Sequence, residues 1–316
     1  MRKYKLSLVI PCFNEEQNIL PFYQACVAAF EHKIESYEMI FINDGSHDRT
    51  WEELKKLNAR YSEVKILNFS RNFGKEAAMY AGLQKARGEY VSVIDADLQQ
   101  DPCYVVEMLS FLDEHEEYDS VAMYQEQRNE GKVLSFFKKS FYRMINTVSD
   151  TNFYSGASDF RTFRHYVVDS ILEMKEYFRF SKGIFSWVGF QTYYMPYVAR
   201  DRQQGTTSWS FWKLMKYAID GIVSFTTFPL RLSTYIGSFI SVLSFIYMFA
   251  VIAQKLIWGI SVPGYATIIV LILFIGGIQL IALGIIGTYL SRVYMEEKKR
   301  PIYIAKEYID GDEESL

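Results

Sequence analysis

Asp95 and Asp97, with Ala96 between them and Leu98-Gln99 following, close the apolar run Tyr90-Val91-Ser92-Val93-Ile94. That run reads as a buried strand, and a carboxylate pair at its end is costly without a cation nearby. A divalent metal holding a diphosphate supplies such charge, because Mg²⁺ or Mn²⁺ takes a few protein oxygens and completes its shell with phosphate oxygens. Taken alone, the same aspartates also suit a strand end that caps the next turn. A second set, Asn43-Asp44-Gly45-Ser46-His47-Asp48-Arg49-Thr50, ends another apolar run. Asp44 can accept from a nucleobase N–H or a ribose hydroxyl, Gly45 permits a tight turn, and Asp48 can cap the following helix. A third, Arg71-Asn72-Phe73-Gly74-Lys75, puts two cations beside a turn, where phosphates or acidic neighbours are their natural partners. The chain has no G-x-G-x-x-G and no Walker A pattern.

These groups need elements to hold them. Strands are expected at Leu6–Pro11, Met39–Asn43, Val64–Phe69 and Tyr90–Asp95. They alternate with helices at Glu16–Phe30, Thr50–Tyr61, Lys75–Ala86 and Cys103–Glu114. Such βαβ alternation predicts a mainly parallel sheet with helices on both faces, and ligands at the carboxyl ends of its strands. The unusual polar residues fall at those ends: Asn14 and Glu15, Asp44 to Ser46, Arg71 and Asn72, Asp95 to Gln99.

The 316 residues carry a formal net charge of −3, which gives no reason to expect nucleic-acid binding. Charge is unevenly spread. Up to about Phe228 the chain mixes charged and apolar residues, whereas Leu232 to Leu290 is almost free of charge. Two apolar stretches, Thr234 to Trp258 and Tyr265 to Leu290, are each roughly 25 residues, or about 37 Å as helix, against a ~30 Å hydrocarbon core. Two transmembrane helices are therefore expected. Arg231 before the first, and Arg292, Lys298, Lys299 and Arg300 after the second, predict cytosolic termini, since the Gly259 to Gly264 loop has no Lys or Arg. Gly276, Gly277, Gly284 and Gly287 would permit close helix packing, within the hairpin or between protomers. The short apolar run after Met1-Arg2-Lys3-Tyr4-Lys5 is too brief for a signal peptide. Cys12, Cys26 and Cys103 lack metal or redox spacing and read as free thiols.

Val133 to Val148 and Trp209 to Phe225 place apolar and aromatic residues on one stripe with basic residues beside it, as interfacial helices do. Ordinary packing against the sheet is the competing reading. The acidic end, Asp310 to Glu314, is expected to be a solvated tail. The expected organisation is a catalytic domain over 1–208, a juxtamembrane amphipathic helix over 209–231, two transmembrane helices over 232–291, and a cytosolic tail over 292–316.

Four segments occur in order: Val9-Ile10-Pro11-Cys12-Phe13-Asn14-Glu15-Glu16, Asn43 to Thr50, Ser70-Arg71-Asn72-Phe73-Gly74-Lys75, and Asp95-Ala96-Asp97-Leu98-Gln99-Gln100-Asp101-Pro102. Together they resemble the inverting GT-A glycosyltransferases that use polyprenyl phosphates, such as the dolichol-phosphate mannosyltransferases and bactoprenol glucosyltransferases. Gly287 to Tyr294 and Arg300-Pro301-Ile302-Tyr303 resemble the ending of the bacterial branch with two spans. The resemblance implies a GT-A Rossmann-like fold that binds a UDP-sugar through Pro11, Phe13, Glu15, Asp44, Arg71, Lys75, Asp95 and Arg128. It implies Mg²⁺ or Mn²⁺ at Asp95, Asp97 and Gln99, and catalytic roles for Asp97, Asp159, Arg200 and Arg202. Ser208-Trp209 stands where many relatives have Lys-Tyr, leaving Lys213 as the substitute.

The implied reaction moves a hexose, glucose or N-acetylglucosamine, from UDP to undecaprenyl phosphate with inversion, at the cell membrane, in a homo-oligomer for which family analogy suggests a tetramer. A phosphate monoester is mostly an anion near neutrality, so a general base is not strictly required and Asp159 is expected to orient or to act electrostatically first. The harder task is bringing two anionic phosphates together, which suits Arg200 and Arg202. A processive polysaccharide synthase is a second reading, although such enzymes carry a Gln-x-x-Arg-Trp motif that this sequence lacks. A non-catalytic partner of a sugar-lipid flippase is a third, and the acidic motifs argue against it.

Overall fold

The apolar runs form strands that start and stop close to where the sequence places them. β1 (Tyr4–Cys12), α1 (Ile19–Phe30), β2 (Tyr37–Asn43), α2 (Thr50–Asn58), β3 (Val64–Phe69), α3 (Lys75–Lys85), β4 (Gly88–Val93) and α4 (Cys103–Glu114) follow in chain order. Next come β5 (Ser120–Gln125), β6 (Ala157–Arg164), α5 (His165–Glu173), α6 (Ser181–Trp187), β7 (Thr192–Tyr197), α7 (Phe228–Trp258), α8 (Tyr265–Glu297) and β8 (Ala305–Ile309). This computed structural model describes residues 2–125, 154, 156–199, 226–258 and 264–310. The segments Val133 to Val148 and Trp209 to Phe225, expected to be interfacial helices, lie outside the described residues. The chain divides into two units, Met1–Met215 with Pro301–Leu316, and Lys216–Arg300.

In the first unit eight strands form one sheet in the order β7-β5-β6-β4-β1-β2-β3-β8. Its centre, β4-β1-β2-β3, is parallel. The flanks are mixed: β6 runs antiparallel to β4 and β5, β8 runs antiparallel to β3, and β7 runs parallel to β5. The parallel strands are buried on both faces, and so read as continuous apolar runs rather than alternating ones. α1 turns Ile19, Phe22, Tyr23, Cys26, Ala29 and Phe30 inward at helical spacing. Each large apolar side chain so buried contributes about 1.5–3 kcal/mol. This helix starts later than the sequence suggests, because the Asn18 and Ile19 N–H groups first fold back onto the Glu15 carbonyl at 2.9 and 3.2 Å. α3 lies close on the sheet, where a Cβ on Gly82 would fall 2.2 Å from Val9 Cγ1.

The C-terminal segment departs from the expected solvated tail. Ala305 to Ile309 pairs with β3, and Asp310 is buried. The reason is charge. Lys65 on β3 is fully buried, with Nζ 2.8 Å from Glu38 and 3.0 Å from Asp310, and Arg87 lies 2.9 Å from the other Asp310 oxygen. Burial alone would lower the Lys65 pKa, yet these two carboxylates hold it above its ordinary value. Residues 311–316 lie outside the described residues.

The second unit contains α7 and α8, both long and apolar enough to cross a membrane. The Tyr289 hydroxyl near the end of α8 donates to the Thr226 carbonyl just before α7, at 2.7 Å. Gly237, Ile240 and Ser241 of α7 line a groove with Ile275, Ile278 and Gln279 of α8. Two helices that meet start to end and middle to middle form an antiparallel hairpin.

Candidate active site

The antiparallel partnership of β4 and β6 builds the site. Tyr90 stands opposite Arg164 and Val93 opposite Arg161. β4 ends at Val93, and just beyond it Asp95 comes together with Asp159 of β6 at a shared lysine. Two carboxylates brought this close repel unless something neutralises them. Lys75, the first residue of α3, reaches into the pair: its Nζ lies 2.7 Å from Asp95 Oδ1 and 3.1 Å from Asp159 Oδ2. Sequence reasoning left two partners open for Lys75, phosphates or acidic neighbours, and here the acidic neighbours hold it. Burial pushes the Lys75 ammonium down, but Asp95 and then Asp159 outweigh this and raise it. Burial likewise pushes the Asp159 carboxyl up, while Lys75, Lys182 and Arg161 hold it down at about 2.

Around this trio stand groups the sequence did not single out. The Glu76 carboxylate accepts from the Ser181 N–H at 2.8 Å and from its hydroxyl, joining the start of α3 to the start of α6. Burial and the charge of Asp159 push Glu76 up to about 7, against the Ser181 bonds and Lys75. Arg161, two residues after Asp159, is 4 % exposed. It donates to the Ser158 carbonyl at 3.1 Å and lies 4.5 Å over the Phe185 ring. Burial lowers its pKa to about 10, although Asp159 opposes this. The one local signal for Arg161 was its place two residues from Asp159 on a strand, which puts both side chains on one face.

The neighbouring strand ends are shaped by the same motifs. The Asp44 carboxylate accepts from the Phe73 N–H at 2.6 Å and the Gly74 N–H at 2.9 Å, so it holds the Arg71–Lys75 turn in place. Gly45, at φ +62°, backs directly onto that turn, and a Cβ there would sit 2.4 Å from the Arg71 carbonyl carbon. Burial raises Asp44, with the two amide bonds opposing. Asp48 accepts from the Thr50 N–H at 3.0 Å, the expected cap of α2. Pro11 pairs with Ile42 in the ladder, and Phe13 is 42 % exposed beside His47. Glu15 accepts from the Asn18 amide at 2.6 Å and donates its own N–H to Thr50 Oγ1. After β4, Asp97 accepts the Gln99 N–H at 3.1 Å, and the side chain of Gln100, rather than Gln99, takes the Asp95 N–H. Leu98 between them sits at φ 59°, a left-handed conformation unusual for a leucine. Arg128, Arg200, Arg202 and Lys213 lie outside the described residues, so the site is built here without them.

The residues present fit a hard divalent cation. Asp95 and Asp97 offer carboxylate oxygens and Gln99 an amide oxygen, all hard donors of the kind such an ion takes. No three His, Cys, Asp or Glu side chains among the described residues form a cage on their own. A metal here therefore draws further ligands from a bound diphosphate or from water.

Residues 7–172 match Glycosyl transferase family 2. CsbB of Bacillus subtilis (strain 168), named a glycosyltransferase, is 44 % identical across 97 % of this chain and 93 % of its own. The bactoprenol glucosyl transferase of Shigella phage SfV is 41 % identical across 96 % of this chain and 98 % of its own. Among solved structures, a glucosyl-3-phosphoglycerate synthase of Mycobacterium tuberculosis, crystallised with Mn²⁺, UDP-glucose and phosphoglyceric acid, is similar at a TM-score of 0.45. It is 16 % identical and covers 70 % of this chain and 78 % of its own. The GT-A Rossmann-like architecture expected from the sequence is the one observed, a sheet parallel at its centre and mixed at its flanks. With more than half its length inside the family match and relatives at 41 and 44 % identity along nearly all of it, the chain belongs to glycosyl transferase family 2.

Proposed function

We propose that this protein transfers glucose from UDP-glucose to undecaprenyl phosphate with inversion, leaving a single sugar on the lipid. The observation that carries the reading is the convergence of Asp95 and Asp159, bridged by Lys75, at the carboxyl ends of the parallel strands. Relatives named bactoprenol glucosyl transferase support glucose over N-acetylglucosamine and a polyprenyl phosphate as acceptor.

The chain's own groups have distinct tasks in this scheme. Phe13, Pro11 and Glu15 border the uridine, and Asp44 fixes the turn that borders the phosphates. Asp95, Asp97 and Gln99 would hold Mg²⁺ or Mn²⁺, which when bound supplies charge neutralisation to the departing UDP. Lys75 adds a fixed positive charge at the same place. Asp159 stays ionised at neutral pH and is a weak base at a pKa of about 2. It therefore orients Lys75 and the sugar. The acceptor phosphate needs no base, because its second ionisation lies near pH 6. Arg200 and Arg202, which the resemblance assigns to that phosphate, would guide it toward the site from the chain that follows β7.

The two apolar helices and the basic residues at Arg231, Arg292 and Lys298 to Arg300 support an integral membrane protein with the catalytic unit and both termini in the cytosol. The test is to incubate purified full-length protein with undecaprenyl phosphate, Mg²⁺ or Mn²⁺, and a panel of UDP- and GDP-sugars. UDP release with UDP-glucose and one sugar per lipid are the expected results. Long polymer would favour a processive synthase, and no release from any donor would favour a non-catalytic partner. Asp97→Ala should abolish metal-dependent release; activity within a few fold of the parent removes Asp97 from the metal.

A further inference from the structure

A cavity of about 420 Å³ opens beside the Arg71–Lys75 turn, and Arg179 and the aromatic wall that line it have no role in the scheme above. Its lining divides by chemistry. Arg71, Lys75 and Arg179 bring three cations, and Glu76 is the single acid. Phe73, Tyr177, Phe178 and Ile302 form an apolar and aromatic wall. Arg179 lies 4.4 Å over the Tyr80 ring, and its buried Nε has no hydrogen-bond partner among the described residues. Lys75 is already held by Asp95 and Asp159, so Arg71 and Arg179 face Glu76 and leave the cavity one cation in excess, as an anion site is before its ligand arrives.

The shape of that deficit narrows the ligand class. A free inorganic anion would use the cations and waste the wall. A nucleotide would need polar partners for its base edge, yet beyond the cations, Glu76 and Asn72 the lining is mostly apolar. An anion carried on a hydrocarbon chain satisfies both halves, and the volume falls in the range of small-molecule sites. Lys75 lines this cavity while its Nζ touches Asp95 and Asp159, so an anion seated here has one cation between it and the acidic pair. That arrangement relieves the repulsion between two phosphates that the reaction must bring together. Ile302 belongs to the chain that emerges from α8, one of the two helices fit to span a bilayer.

We propose that this cavity receives the phosphate monoester of the acceptor lipid together with its first isoprenoid units, with Arg71 and Arg179 on the phosphate and Phe73, Phe178 and Ile302 on the hydrocarbon. The inference rests on the reading of the protein as a polyprenyl-phosphate glycosyltransferase. It moves Arg71 from the donor, where the family resemblance put it, to the acceptor.

The test is direct binding to the purified full-length protein in detergent, without transfer. Farnesyl phosphate, farnesol, inorganic phosphate and UDP with Mn²⁺ are titrated against the parent, Arg179→Gln and Arg179→Lys. Farnesyl phosphate should bind tighter than either farnesol or phosphate. Arg179→Gln should weaken farnesyl phosphate at least tenfold while UDP stays within twofold, and Arg179→Lys should recover part of the loss. A loss confined to UDP would make this a donor cavity and overturn the proposal. So would equal losses for both ligands, or no change in either. Should Arg179→Gln fail to fold, the parent is labelled with a photoreactive farnesyl phosphate analogue. Label in the 177–179 peptide or at 302 is expected, and label only elsewhere refutes the site. The two readings fail separately. A parent that binds farnesyl phosphate through Arg179 but transfers no sugar sinks the function alone. A parent that transfers sugar while binding ignores Arg179 sinks the cavity alone.

Discussion

Lys75 is the residue on which the acidic pair depends. Without its ammonium, the repulsion between Asp95 and Asp159 is unrelieved, and Asp159 loses the largest of the influences that depress it. Lys75→Met should therefore cut the turnover number by two orders of magnitude or more. It should also bring an acid limb into the pH–rate profile, because the Asp159 carboxyl then titrates well above about 2. A variant with reduced turnover and an unshifted profile would show that Lys75 acts on the donor without setting Asp159. Glu76 gives a stability test of opposite sign. Its carboxyl rises from about 4.5 to about 7 on folding, so between those values the folded protein retains a proton that the unfolded chain has lost. Stability from this group is thus highest in acid and falls as pH rises through that window. Glu76→Gln is neutral throughout and keeps an oxygen for Ser181. Its melting temperature should exceed the parent's at pH 8 and match it near pH 5; an equal offset at both pH values would contradict the raised pKa.

At the scale of elements, periodicity was a good guide. The runs at Val64–Phe69 and Cys103–Glu114 end where the sequence places them, because apolar spacing and turn residues are local signals. What sequence could not give was long-range pairing. Glu76 meets Ser181 more than a hundred residues away, and Asp95 and Asp159 share Lys75 only once β6 has joined β4. Asp95, Asp97 and Asp44 were legible as acidic residues at strand ends, which is where the fold places them. The Asp44 carboxylate proved to hold a turn, a task no spacing reveals. β8 was invisible because its segment is short and acidic at its end, and reads as a tail until the buried charge of Lys65 is known. Asp310→Ala removes one of two carboxylates from that lysine. Breaking a buried pair outright costs ~3–5 kcal/mol. With Glu38 remaining, the loss should be smaller but still measurable as a melting-point drop of several degrees. An unchanged melting point would show that Glu38 alone satisfies Lys65.

For the whole molecule, the division of labour follows composition. The charged, alternating part builds the sheet and its site, and the nearly uncharged part builds α7 and α8. In cells the protein should stay with the membrane pellet through a carbonate wash and leave it only in detergent; release by carbonate would argue that neither helix spans. The order of the strands along the chain has a consequence for biosynthesis. β8 lies last, after both apolar helices, yet it closes the open side of β3. A ribosome delivers the N-terminal strands first. The nascent sheet therefore waits with a bare edge, and with Lys65 lacking its second counter-charge, until the hydrophobic pair has been synthesised. The sheet is complete only after both long helices exist.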